Sequence, residues 1–150
     1  MKLICRILRQ DPDIVLVGNG SEVATLVETA DIIKSDGIKA QVVSVPSIGL
    51  FLDQDIEYRN SVIPDGIPAF GLTAGLPSTL RRVVPTGEIF GLDHFGASAS
   101  YKVLDEKFGF TPVYSVNGNT NPDRWRYKPH RGNWLDGVTQ NANANGFRLP

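Results

Sequence analysis

The chain has 150 residues, 41 % of them hydrophobic and 21 % charged, and its formal net charge is -1. That length suits one domain burying about 70 % of its unfolded surface, and the ordinary composition excludes a disordered, collagenous or coiled-coil protein. A near-neutral charge draws the chain neither to nucleic acid nor to an anionic membrane, and its short apolar runs fall well below the roughly 20 residues that a spanning helix needs.

The N-terminus has basic residues (Lys2, Arg6, Arg9) on both sides of a short apolar patch. A signal peptide requires about 7–15 apolar residues in a row, so the expected location is the cytoplasm. Residues 3–8 read as a short strand carrying Cys5, the one cysteine. Alone it closes no internal disulfide and makes no metal site. A buried, inert thiol is expected. Gln10, Asp11, Pro12 and Asp13 form a turn by composition.

Ile14, Val15, Leu16 and Val17 are a continuous apolar run, the mark of a strand buried on both faces. Gly18, Asn19, Gly20 and Ser21 end it. Apolar residues then recur at Val23, Leu26, Val27, Ala30 and Ile33, which is helical spacing. Ser21 is placed to cap that helix, Glu22 favours its positive end, and Gly37 suits the position just beyond it. A second apolar run at residues 40–45 completes a βαβ unit, and Pro46 ends it.

Residues 50–54 read as a short helical turn. Asp55 is placed to cap a second helix over residues 56–62, stopped by Pro64, Asp65 and Gly66. Residues 69–73 read as a third core strand, residues 76–84 as a helix entered at Pro77 and truncated by Val83, Val84 and Pro85, and residues 88–92 as a fourth core strand. Residues 101–108 form a helix with Ser100 as its cap and Gly109 as its end. Alternating strands and helices give an α/β three-layer αβα sandwich. The first segment joins the next strand by a turn too short for a parallel crossover. The expected sheet is therefore mixed and five-stranded, with four parallel strands and one antiparallel edge strand. Residues 1–116 form the domain. Residues 117–150 lack either period and read as an irregular or disordered tail.

Gly18, Gly20 and Ser21 are the leading candidate site, because a Gly-rich turn entering a helix can bind an anion. A dinucleotide fingerprint needs a third Gly where Val23 stands, and a Walker loop needs Gly-Lys-Ser or Gly-Lys-Thr; neither is present. The turn therefore reads either as a structural cap or as a phosphate- or nucleotide-binding site of an independent module. Asp93, His94, Ser98 and Ser100 bring an acid, an imidazole and hydroxyls to a strand end. A nucleophile elbow is excluded because Ser100 replaces its last Gly. His94 and His130 have no partner at zinc-ligand spacing. Asp53, Asp55, Asp105 and Glu106 read as solvated carboxylates. Basic and aromatic residues alternate from Arg124 to Arg131, but the overall charge argues against a nucleic-acid platform.

Five ordered blocks carry a further signal. They are residues 15–23, residues 37–47, residues 50–64 with Tyr58, Arg59, Asn60, Ser61 and Val62, residues 91–99, and residues 106–111 with Phe108, Gly109 and Phe110. Over residues 3–112 the chain resembles the C-terminal domain of the transketolase family. It departs from that family with Thr73 in place of Glu, His94 in place of Arg, Ser100 in place of Pro, and no Trp in the loop at residues 76–80. The resemblance implies a thiamine-diphosphate- and magnesium-dependent transferase of the pentose phosphate pathway, a homodimer moving two-carbon ketol units between sugar phosphates. It also implies that this domain is structural, supports the dimer and packs against the thiamine-binding domains or subunit. No catalytic, cofactor-binding or metal residue carries over, since the family's Gly-Asp-Gly signature is absent. The isolated chain is expected to be inactive.

Overall fold

The computed structural model describes residues 5–7, as backbone only, and residues 11–112. The Cys5 side chain and the tail at residues 117–150, for which burial and disorder were expected, lie outside the described residues.

The elements are β1 (Cys5–Ile7), β2 (Ile14–Gly18), α1 (Glu22–Lys34), β3 (Ala40–Ser44), α2 (Ile48–Leu52), α3 (Ile56–Val62), β4 (Ala69–Leu72), α4 (Pro77–Arg81), β5 (Glu88–Phe90) and α5 (Tyr101–Phe108). The strands lie in the order β1-β3-β2-β4-β5. β2 pairs parallel with β3 on one side and β4 on the other, and β4 pairs parallel with β5. These are the four parallel strands that the alternating pattern predicts. β1 runs antiparallel to β3, with Cys5 opposite Ser44 and Ile7 opposite Val42.

β2 is buried along its whole length, and its alternate side chains feed two cores. Ile14 and Leu16 join Leu26 and Ile33 of α1, Ala40, Val42, Phe70 and Leu72. Val15 and Val17 face the opposite way, into Val43, Val45, Phe51, Val62, Val83 and Val84. Period-two alternation between two apolar layers is the reason the run shows no polar residue. Each fully buried Leu or Ile contributes about 1.5–3 kcal/mol by leaving water.

Among the described residues three buried polar side chains, Thr29, Gln41 and Thr73, interrupt the apolar pattern. Thr29 lies on the inner face of α1 and donates to the Thr25 carbonyl at 2.7 Å. Gln41 in β3 is 3 % exposed, and its side-chain amide donates to the Val62 carbonyl at 2.6 Å. That carbonyl belongs to the last turn of α3, where intrahelical partners run out.

Several boundaries differ from the sequence reading. α2 starts before residue 50 because the Ser47 side chain accepts from the Leu50 N–H at 3.4 Å. α4 stops at Arg81, cut short as Val83, Val84 and Pro85 predict: the two valines turn into the second core, and a residue preceding Pro85 avoids helical geometry. Ser100 precedes α5 but makes no side-chain cap. Asp55 does cap α3, accepting from the Tyr58 N–H at 2.7 Å. Gly109 ends α5 at φ 81°, a conformation that only a residue without Cβ adopts cheaply.

Candidate functional site

β2 is followed by a crossover to one side of the sheet and β4 lies on its other side, so the order reverses between them. The C-terminal ends of strands at such a reversal are where open α/β sheets bind ligands. Gly18, Gly20 and Ser21 sit there, and the structure brings the three together in one turn. A Cβ on Gly18 would stand 2.8 Å from Leu26 Cδ1 and 3.5 Å from the Leu72 carbonyl oxygen. A side chain at Gly18 would thus displace the end of Leu26 where α1 packs on the sheet, and the Gly18 carbonyl accepts from the Val45 N–H at 2.8 Å. Gly20 has φ 65°, which allows the chain to reverse into α1.

Ser21 does not cap α1. Its backbone is already helical, at φ -66° and ψ -27°, and its hydroxyl donates to Glu22 Oε1 at 2.8 Å. The other carboxylate oxygen, Oε2, would lie 3.4 Å from a Cβ on Gly20. Glu22 is thus folded back over the mouth of the turn. An anion approaching these backbone N–H groups meets a carboxylate already in place, and binding would require Glu22 to swing away.

Beyond β4, the Thr73 hydroxyl accepts from the Gly75 N–H at 3.1 Å, and the Gly75 carbonyl accepts from the Leu92 N–H at 3.0 Å. This joins the loop after β4 to the loop after β5. In the second loop every residue from 93 to 100 is exposed. His94 Nδ1 donates to the Phe95 carbonyl at 2.8 Å, and its ring lies 5.1 Å from that of Phe108. Among the described residues His94 makes no hydrogen bond to Asp93, Ser98 or Ser100, so the acid, imidazole and hydroxyls do not form a triad. Phe95 is 99 % exposed, and Leu76, Tyr101 and Val103 are each more than half exposed. α5 buries none of its residues.

Among the described residues no three His, Cys, Asp or Glu side chains gather closely enough to hold a metal ion. With Glu22 over the turn and no such cluster, the described side chains do not fit a magnesium-bound diphosphate. Asp53, Asp55 and Glu106 are exposed and Asp105 is half-buried. His130 lies outside the described residues. No described helix is long and apolar enough to cross a membrane.

The opposite, N-terminal edge of the sheet carries a cleft that the sequence reading missed. It opens between α3 and the segment joining α4 to β5. Phe51, Ile63, Val83 and Val84 give it apolar walls, and Arg59, Asn60, Asp65 and Arg82 contribute polar and charged groups. Among the described residues, Arg59 Nε is buried with no hydrogen-bond partner. Asn60 is engaged by Asp65, donating to its carboxylate at 3.0 Å. The two arginines come from separate elements, and no local pattern joins them.

The model of the transketolase-like TK C-terminal domain family matches residues 4–111. The plasmid transketolase of Cupriavidus necator is 41 % identical over 104 residues, which are 69 % of this chain and 16 % of that protein. The solved transketolase of Campylobacter jejuni superposes with a TM-score of 0.69 at 27 % identity, over 76 % of this chain and 18 % of that one. A Pichia stipitis transketolase in complex with sedoheptulose 7-phosphate gives a TM-score of 0.62 at 34 % identity, over 73 % of this chain and 16 % of that one. The chain thus spans less than a fifth of the length of each of these three relatives.

Proposed function

We propose, from the premise that this chain belongs to the transketolase family through its C-terminal domain, that it is the non-catalytic, dimer-supporting part of a thiamine-diphosphate-dependent ketol transferase. Its substrates are sugar phosphates, the class to which the ligand of the Pichia stipitis relative belongs. Thiamine diphosphate and magnesium, which supply the carbanion chemistry of such a transferase, bind the part of the enzyme that this chain does not span.

The observation that carries this reading is the unsatisfied surface around the loop after β5. Phe95 is 99 % exposed and α5 buries no residue, although a helix in a layered domain normally sets one face against a neighbour. Tyr101 and Val103 extend the same exposed segment. Apolar groups concentrated in this way mark a surface that a partner covers. The partner is the thiamine-binding portion of the enzyme, whether joined to this chain or encoded separately, and the assembled enzyme is a homodimer acting in the cytoplasm.

A transketolase assay tests this. The chain is mixed with the thiamine-binding portion from the same genome, together with thiamine diphosphate, magnesium and pentose phosphates. Activity in the mixture and none from either component alone is the expected result. No activity and no complex would remove the assignment.

A further inference from the structure

We infer that the cleft between α3 and the α4–β5 segment is a docking seat for an acidic segment of the thiamine-binding portion, with Arg59 and Arg82 as its carboxylate anchors. The inference rests on the functional reading above and names a second contact surface for the same partner.

Arg59 lies in the last turn of α3, where the helix dipole favours a cation. That explains its charge but not its orphaned donor. Arg59 Nε is shut away from solvent without an acceptor, and a buried unpaired donor of a charged group is costly. Arg82 borders the same cleft from the end of α4 and is exposed. A planar guanidinium matches a carboxylate through two parallel hydrogen bonds, and the cleft's own carboxylate, Asp65, already accepts from Asn60, so the group these arginines call for is a second acid, from outside the cleft.

The surroundings distinguish a protein acid from a free anion. The cleft is walled by Phe51, Ile63 and Val84, and at its rim Ile56 leaves 57 % of its surface exposed. Arginine set among apolar side chains is the composition of a protein–protein hot spot. A site for inorganic phosphate has no use for exposed isoleucine. The length of the relatives supplies the occupant: more than four-fifths of the Cupriavidus necator and Campylobacter jejuni transketolases has no counterpart in this chain, and that part can provide the acid.

The test measures association of the full chain with the thiamine-binding portion by calorimetry, at low and at physiological salt. Arg59→Gln and Arg82→Glu are each expected to weaken association about tenfold or more. The salt dependence should shrink, while thermal melts of the chain alone stay as in wild type. Arg82→Glu alters an exposed side chain, so it remains informative if Arg59→Gln fails to fold. If wild type binds and both arginine variants bind equally well, the docking seat is refuted and the functional reading stands. If Arg59-dependent binding of inorganic phosphate to the chain alone accompanies unchanged association, the cleft is a small-anion site and the inference is overturned. If wild type forms no complex at all, the functional reading fails and takes the docking seat with it.

Discussion

Gln41 and Val62 are joined across the second core: the amide of a buried strand residue donates to the carbonyl at the end of α3, at 2.6 Å. The bond satisfies a helix-terminal carbonyl and fixes α3 on the sheet. Neither group has water available as a substitute partner.

Replacing Gln41 with Leu should therefore destabilise the domain despite raising its apolar content. The orphaned Val62 carbonyl costs about 1–3 kcal/mol. Urea unfolding followed by circular dichroism reads the change directly, and a variant as stable as wild type would show that the bond contributes nothing net.

Gly18→Ala places a methyl group 2.8 Å from Leu26 Cδ1. The clash is with the flexible end of the fully buried Leu26 side chain, so the cost is at the low end of overpacking, about 1 kcal/mol. A Leu26→Ala change made in the same chain should relieve that clash. The double variant would then be more stable than the sum of the two single losses predicts.

Two helix starts that look alike in sequence should respond differently. Asp55→Ala removes a cap made at 2.7 Å and should cost about 1 kcal/mol. Ser21→Ala removes a hydroxyl that bonds only the Glu22 carboxylate, and should fall within about 0.5 kcal/mol of wild type. Equal losses in denaturant melts would contradict the assigned geometry.

Glu22 should decide what the turn at Gly18, Gly20 and Ser21 binds. Titration of the chain with inorganic phosphate, followed by amide NMR shifts at these residues, is expected to show no saturable binding in the millimolar range. Glu22→Gln should increase the response. Tight phosphate binding by the wild type would restore the anion-site reading of this turn.

Phe95→Ser should leave stability unchanged, since the ring is 99 % exposed and loses no burial on substitution. It should, however, reduce self-association of the isolated chain in sedimentation velocity and weaken assembly with the thiamine-binding portion.

β2 was legible because it is an unbroken run of apolar residues, which burial on both faces demands; β3, β4 and β5 were legible as shorter, largely apolar runs, although β3 carries Gln41 and β5 starts on exposed Glu88. Asp55 was legible as a cap because its signal is local. Thr29 and Gln41 were not, since each is a polar residue whose partner becomes visible only in the fold. The start of α2 was misplaced because Ser47 stands beside Pro46 and reads as part of the strand's end. Ser21 failed as a cap for a different reason: its backbone is already helical, whereas a capping residue is extended. The Arg59 and Arg82 cleft was invisible because the two residues meet only after β4 has been inserted beside β2.

That insertion also matters during synthesis. β2 leaves the ribosome before any other core strand, yet its second neighbour, β4, ends at Leu72. Until then one flank of an entirely apolar strand is open, an edge to which other nascent chains can add. A ribosome stalled between β3 and β4 would hold a sticky product, and one stalled after β4 a largely closed sheet. For this chain, the interval between those two points is when it most needs a chaperone.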